Sequence, residues 1–365
     1  MINIPTRRSL VVQTADILRQ EIARGLWRDV LPGQRPLCDL LRVSRTTLEP
    51  ALAVLQRQGI IRISHGRRTR IVSKRKLAQR SSASMRVVAL IHGPIYALSQ
   101  STLYTLTQLQ HRLQTAGFVL DIRFDARLCS TARDTPKRLA GLVCETPAAC
   151  WILFSMNHAV QRWFMDRRLP TILFGTAHAD VRLPSLDTHN EAVFRHAAGR
   201  FLAAGHRRVA LLMPRFDLAG DLEGERGFLA VFEAGAYSGA EGLVVHYDGT
   251  TEGVRAALGP LLVATPPVTG LLVADPRIVL SVMGHLQASG KSIPRDVSIL
   301  TTEYDEFLDY QVPSVASYRH ALTTFAARLS RQVLTLAETG YLPARATRLM
   351  AEFQPGASFG PVVAG

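Results

Sequence analysis

"LPGQRPLCDLLRVSRTTLEPALAVLQRQG", residues 31 to 59, is the stretch on which the fold turns. Leu31-Pro32-Gly33 breaks any preceding helix, and Gly33 is able to cap a short second one that tolerates Pro36 in its first turn. Arg42-Val43-Ser44 then makes a tight turn, because a serine ahead of apolar residues at helical spacing signals an N-cap. Working outward, Val11, Ala15, Leu18, Ile22 and Leu26 form one stripe of an amphipathic helix before it. After Gly59 two short β-rich runs, "IIRIS" and "RTRIV", flank a tight turn at His65-Gly66-Arg67. Three helices and a hairpin predict a winged helix-turn-helix over residues 1–72. Residues 73–86, "SKRKLAQRSSASMR", are polar, basic and Ser-rich and read as a linker.

Charge separates this head from the rest. The chain carries a net charge of +14. Residues 1–84 hold 17 Lys and Arg against five Asp and Glu, a net +12, and residues 85–365 hold 26 against 24, a net +2. Clustered positive charge is the footprint of a nucleic-acid binder, since each neutralised phosphate releases counterions. A membrane surface is the weaker partner, because no helix pairs a basic face with bulky Trp and Phe. No apolar run is long enough to span a bilayer, and the first residues lack the apolar core of a secretion signal.

From residue 87 the texture is apolar strand alternating with helix. "VVALIHG", "FVLDIRFD", "CWILFSMN", "PTILFG", "RRVALLMP", "GLVVHYD", "VTGLLVAD" and "VSILTTEY" are strand candidates. Between them helical patterns recur, as at Leu103, Leu106, Leu109 and Leu113. Such alternation implies α/β architecture with parallel sheets covered on both faces. About 280 residues is long for one sheet, so residues 87–365 are expected to form two lobes, with ligand bound between them at strand carboxyl ends.

The head resembles the GntR-type winged helix-turn-helix, on Leu31-Pro32, Arg35, Leu40-Leu41, Val43 through Thr47, Ala51-Leu52, Leu55, Gly59 and the wing Gly66. The remainder is similar to the LacI/GalR-type, periplasmic-binding-protein-like effector domain, on "LPSLDTHNEAVFRHAAGRFLAAGHRRVALL", "VTGLLVADPRIVLSVMGHLQASGKSIPRDVSIL" and "VPSVASYRHALTTFAARL". The arrangement resembles arabinose-repressor-type hybrid regulators. The resemblance implies a cytoplasmic homodimer on a double-stranded DNA operator, controlled by a small-molecule effector of carbohydrate type.

It also implies DNA contacts at Arg35, Ser44, Arg45, Thr46, Thr47 and the wing tip of His65, Gly66, Arg67 and Arg68. The chemistry agrees. A helix N-terminus offers free N–H groups to phosphate, and an arginine there is able to meet a guanine edge with two bonds. Arg35 also has a purely structural reading, as a partner for Asp39. Two departures stand out. Glu49 occupies a position where the family commonly has arginine, and Pro50 follows it inside the third helix. A helix-interior proline costs about 3 kcal/mol, so a kinked or re-aimed helix is expected. Glu49 repels phosphate unless it accepts from a cytosine amino group. Altered specificity is expected rather than lost binding.

For the effector cleft the resemblance implies Asp275 and Glu303 as strand-end acceptors for hydroxyls. The family arginine falls on Gly224 here, with Arg226 nearby. His92 and Tyr96 after the first strand, and Ser155 and Asn157 after the third, are further ligand-binding candidates. Asp187 and Asn190 read as inter-lobe supports. Aromatic residues are 7% of the chain, so no stacking platform for a sugar is obvious.

Other classes fit less well. No G-x-S-x-G elbow, Walker loop or G-x-G-x-x-G after the first strand is present, so no catalytic residue, cofactor or metal site is expected. The four cysteines, Cys38, Cys129, Cys144 and Cys150, have no metal-like spacing and read as reduced thiols. The alternatives are a DNA-binding regulator that has lost its effector response, and a solute-binding protein.

Overall fold

The structure, a computed structural model, describes residues 10–362 apart from 25, 28, 58, 64–68, 73–84, 94, 96–97, 126–127, 129–133, 216–217 and 236. In the head, α1 (Leu10–Arg24), α2 (Gln34–Leu41) and α3 (Arg45–Arg57) precede an antiparallel pair, β1 (Ile61–Arg62) and β2 (Arg70–Ile71). Leu18, Ile22, Leu37, Leu48, Leu52 and Leu55 close its core. Gly33 is the N-cap of α2, which Arg42 ends in the left-handed region at φ 51°. Two expectations change. The α1 stripe stops at Ile22, since the helix ends at Arg24 and Leu26 is exposed. Pro50 does not break α3. Pro50 and Thr46, whose carbonyl loses its helical donor, both face solvent, where water is able to satisfy that carbonyl. Leu48, Ala51, Leu52 and Leu55 meanwhile hold the buried face in place.

The first lobe is built from β3 (Arg86–Ile91), α4 (Gln100–Thr115), β4 (Val119–Phe124), α5 (Thr135–Glu145), β5 (Cys150–Phe154), α6 (His158–Asp166), β6 (Thr171–Phe174) and β7 (Ser185–Thr188). All its strand pairs are parallel, in the order β4-β3-β5-β6-β7, with a late strand at Ala346–Leu349 added beside β7. Val87 to Ile91 and Cys150 to Phe154 are buried throughout, as continuous apolar strands under helices on both faces must be.

The second lobe contains α7 (Asn190–Ala203), β8 (Arg208–Pro214), α8 (Ala219–Glu233), β9 (Glu241–Tyr247), α9 (Thr251–Val263), β10 (Gly270–Val273), α10 (Val279–Ala288) and β11 (Ser298–Thr301). Its parallel sheet runs β11-β10-β8-β9. β12 (Ser317–Arg319) leads into α11 (Leu322–Thr339), which returns to the first lobe and buries Phe325, Leu329, Val333 and Leu336 there. β13 (Ala346–Leu349) completes that lobe's sheet, and β14 (Glu352–Gln354) pairs antiparallel with β12. The chain therefore passes between lobes after β7, after β12 and after β13. β7 and β12 to β14 are absent from the strands read in the sequence, because three- or four-residue segments with polar members leave no periodic signal.

Among the described residues no helix is long and apolar enough to cross a membrane, and Cys38, Cys144 and Cys150 are free thiols.

Candidate functional site

Two places collect the functional candidates: the first turn of α3 and the cleft between lobes. In the head, the Ser44 carbonyl accepts from the N–H groups of Thr47 and Leu48. Its hydroxyl lies 2.7 Å from Thr46 Oγ1 and 3.0 Å from Thr47 Oγ1. The three hydroxyls thus form one polar cluster at the helix start, where N–H groups and dipole favour an anion.

Arg45 Nε donates to Gln34 Oε1 on α2 at 3.1 Å and to Glu49 Oε1 at 2.9 Å. The pair is exposed, with 74% of the Arg45 side chain and 51% of Glu49 open to solvent. In this protein Glu49 is therefore engaged by Arg45 and Gln34 by the same group, while both Nη groups of Arg45 have no partner among the described residues. Arg35 is exposed on α2 and makes no ion pair with Asp39. His65, Gly66, Arg67 and Arg68 lie outside the described residues, as does Tyr96.

The cleft encloses a cavity of about 510 Å³ at the carboxyl ends of β3, β5, β6, β8 and β10. Of the sequence candidates, His92, Ser155, Asp275 and Glu303 line it. His92 is held below its ordinary pKa by burial, so its ring is neutral at pH 7. Ser155 sits at φ 44°, a left-handed conformation rare outside glycine and often kept at binding sites. Glu303 accepts from Ser101 Oγ of α4 at 3.0 Å, a bond that crosses from one lobe to the other.

Asp275 is committed elsewhere. Its carboxylate accepts from Arg277 Nη2 at 2.7 Å and Nε at 2.9 Å, and from Tyr247 OH at 3.3 Å. It thereby fixes Arg277, which also lines the cavity and which spacing alone did not single out. Asn157 is not in the cavity: its Oδ1 caps α6 by accepting from Val160 N–H at 3.1 Å. Arg226 is exposed on α8 and also outside the lining. At Gly224 there is no space for a side chain, because an added Cβ would lie 2.9 Å from the Phe194 ring.

Asp187 and Asn190, read as inter-lobe supports, line the cavity too. Asp187 accepts from Thr176 Oγ1 at 2.6 Å, Thr188 N–H at 2.7 Å and Asn190 Nδ2 at 3.2 Å. Burial holds its pKa above the ordinary carboxylate value, against those bonds. Behind it Arg348 donates to Thr176 Oγ1 at 2.7 Å and to Glu223 Oε1 of α8 at 2.9 Å. Asp221, in the first turn of α8, is a lining residue the sequence reading missed. Burial, then the charges of Asp187 and Asp275, push its pKa up to about 7. Phe154, Phe174, Phe194 and Phe325 also face the cavity, so apolar ring surface is present despite the low aromatic content.

Comparison with known proteins agrees with this layout. Residues 10–71 match the family model of bacterial regulatory proteins of the gntR family, and residues 198–359 match that of the periplasmic binding protein-like domain. The HTH-type transcriptional regulator CelR of Thermobifida fusca is 25% identical over 146 residues, 40% of this chain and 43% of that protein. A fatty acid metabolism regulator protein of Shewanella pealeana is 38% identical over 63 residues, 16% of this chain and 26% of that protein. The chain thus spans less than half the length of these curated relatives. Among solved structures, a transcriptional regulator CelR–cellobiose complex superposes with a TM-score of 0.66 at 17% identity, covering 90% of this chain and all of that one. A LacI family transcriptional regulator from Bifidobacterium animalis subsp. lactis gives 0.64 at 15% identity, over 77% of this chain and 99% of that one. At these identities the superpositions carry the fold.

Proposed function

We propose that this chain, in which a gntR-family regulatory head is joined to a periplasmic binding protein-like domain, is a sequence-specific transcriptional regulator controlled by a small molecule in the inter-lobe cleft. The observation that carries the reading is the joining of two dissimilar parts. One is a head that together with its linker carries a net +12 over residues 1–84 and presents an exposed arginine on the first turn of α3, and the other is a two-lobed body around a 510 Å³ cavity. A DNA-binding unit alone has no use for such a cavity, and a solute-binding protein has none for the head.

The working unit is a cytoplasmic homodimer on a double-stranded operator, with residues 1–72 as the DNA-binding domain, 73–86 as linker and 87–365 as effector and dimerisation domain. Arg45 reads a base edge, and the hydroxyl cluster of Ser44, Thr46 and Thr47 sits on phosphate. A sugar or sugar derivative suits the cleft, where hydroxyl-binding groups alternate with phenylalanine rings. CelR, whose complex with cellobiose has the same fold, is a precedent for that class. Ligand that touches both lobes favours the closed arrangement marked by the Ser101–Glu303 bond, and that shift in population changes the spacing of the two heads. The role assigned is repression of carbohydrate-related genes.

Binding-site selection and sequencing on the full chain, with the salt dependence of the winning site, tests this. An inverted-repeat consensus with affinity falling steeply as salt rises is expected. Binding without any consensus would overturn the proposal.

A further inference from the structure

In a chain of net charge +14, the cleft is a local concentration of carboxylates: Asp187, Asp221, Asp275 and Glu303 all line it. Three of them are already engaged. Asp187 is held by Thr176, Thr188 and Asn190, Asp275 by Arg277 and Tyr247, and Glu303 by Ser101. The Asp221 carboxyl is different, with no hydrogen bond or ion pair to any described residue. It is part-buried in the first turn of α8. That turn is pinned close to the first lobe: a Cβ on Gly220 would lie 2.8 Å from Asn190 Nδ2 and 3.4 Å from Asp187 Oδ2. One turn further along the same helix face, Gly224 offers no side chain and Phe194 fills the space.

The cations of the cleft do not answer this group. Arg277 is turned onto Asp275, and Arg348 onto Glu223 and Thr176. His92 is neutral, and His320 Nδ1 lies 3.3 Å from Thr188 Oγ1. An isolated, part-buried carboxyl among like charges is costly unless a positive charge arrives, and a cation within about 4–6 Å restores its ionised form. The polar lining and the phenylalanine rings around it suit a hydroxylated body for that cation.

We propose that the effector is a hydroxylated small molecule bearing a protonated amine, of amino-sugar type, and that Asp221 is the residue that receives the ammonium group. The inference rests on the effector-responsive reading above and narrows its ligand class. The N–H donors of the amine replace the missing partner of Asp221, while Thr176, Ser155 and Glu303 remain for hydroxyls. Below neutral pH, docking expels a proton from Asp221, so affinity rises as pH is raised from 5.5 towards 7.5. A neutral sugar has no such requirement and shows a flat or opposite trend.

Calorimetry on the full chain at pH 5.5, 6.5 and 7.5 tests this, with glucosamine and the β-1,4-linked glucosamine dimer set against glucose and cellobiose. The expected result is preference for an aminated probe, proton release at pH 6.5 measured through buffer ionisation heats, and roughly tenfold or greater weakening of that probe in Asp221→Asn. Thermal melts of Asp221→Asn and Asp221→Ala verify that both remain folded. Neutral sugars binding as tightly as their aminated counterparts, unaffected by Asp221→Asn, would overturn the amine inference and leave the effector reading intact. Silence from all four probes, with DNA binding preserved, would count against both.

Discussion

Replacing Arg348 with methionine is the sharpest structural perturbation of the cleft. The guanidinium stands on β13 in the first lobe and bonds Thr176 of the same lobe and Glu223 of the second. Asp187 Oδ2 lies 3.9 Å away. The side chains of Arg348, Asp187 and Glu223 are only 21%, 22% and 23% exposed, so water screens them poorly. Methionine keeps much of the apolar stem and leaves two carboxylates with no cation between them. Breaking a fully buried pair costs about 3–5 kcal/mol, and at this exposure about 2–3 kcal/mol is expected at pH 8.

The pH dependence has a definite sign. Burial already holds Glu223 and Asp187 above their ordinary pKa, and Arg348 opposes that rise. An acid raised in the folded state contributes stability at low pH that is lost as pH climbs through its folded value. Removing Arg348 raises both groups further, so the loss is full at pH 8 and shrinks at pH 5, where the carboxyls take up protons. Urea denaturation of the full chain at the two pH values, followed by circular dichroism, measures it. A loss below about 0.5 kcal/mol, or one equal at both pH values, would refute the assignment of Arg348 as the charge that joins the lobes.

Three further outcomes are expected. Gly227→Ala places a Cβ 2.2 Å from the Glu191 carbonyl oxygen, where backbone of α7 and α8 meet. The helices must part, costing about 2–3 kcal/mol and lowering the midpoint of thermal unfolding; an unchanged midpoint would show that the contact is slack. In the head, Arg45→Ala should weaken binding to the selected operator by about 1–3 kcal/mol at one base position. Glu49→Ala should relax preference at that same position while leaving the salt slope nearly unchanged, because Glu49 positions Arg45; a shift at a different base pair would mean that Glu49 reads a base itself.

The head was legible because its signals are local. Gly33, Ser44 and Gly59 mark boundaries by their own backbone and capping chemistry, and the apolar spacing of α3 names its buried face whatever surrounds it. Even so, Pro50 misled, since the cost of a helix-interior proline depends on whether the orphaned carbonyl meets solvent, which sequence does not state. The α/β alternation and the two-lobed body were legible for the same local reason: the central strands β3, β5, β8, β10 and β11 are buried on both faces and say so in their composition.

The cleft was not. Asp187 and Arg348, 161 residues apart, meet in one hydrogen-bond network through Thr176, and Asp221 and Arg277 line the same cavity, because the chain changes lobes after β7, β12 and β13. No periodicity encodes such a meeting. Asn157 and Arg226 sit near the right strand and helix in sequence, yet one spends its amide on a helix cap and the other faces water. A side chain's direction on its element, and the charges that other segments bring against it, are properties of the packed molecule. That is why Asp221, an unremarked aspartate in a glycine-rich run, becomes the cleft's one unpartnered carboxylate among the described residues only when both lobes are in place.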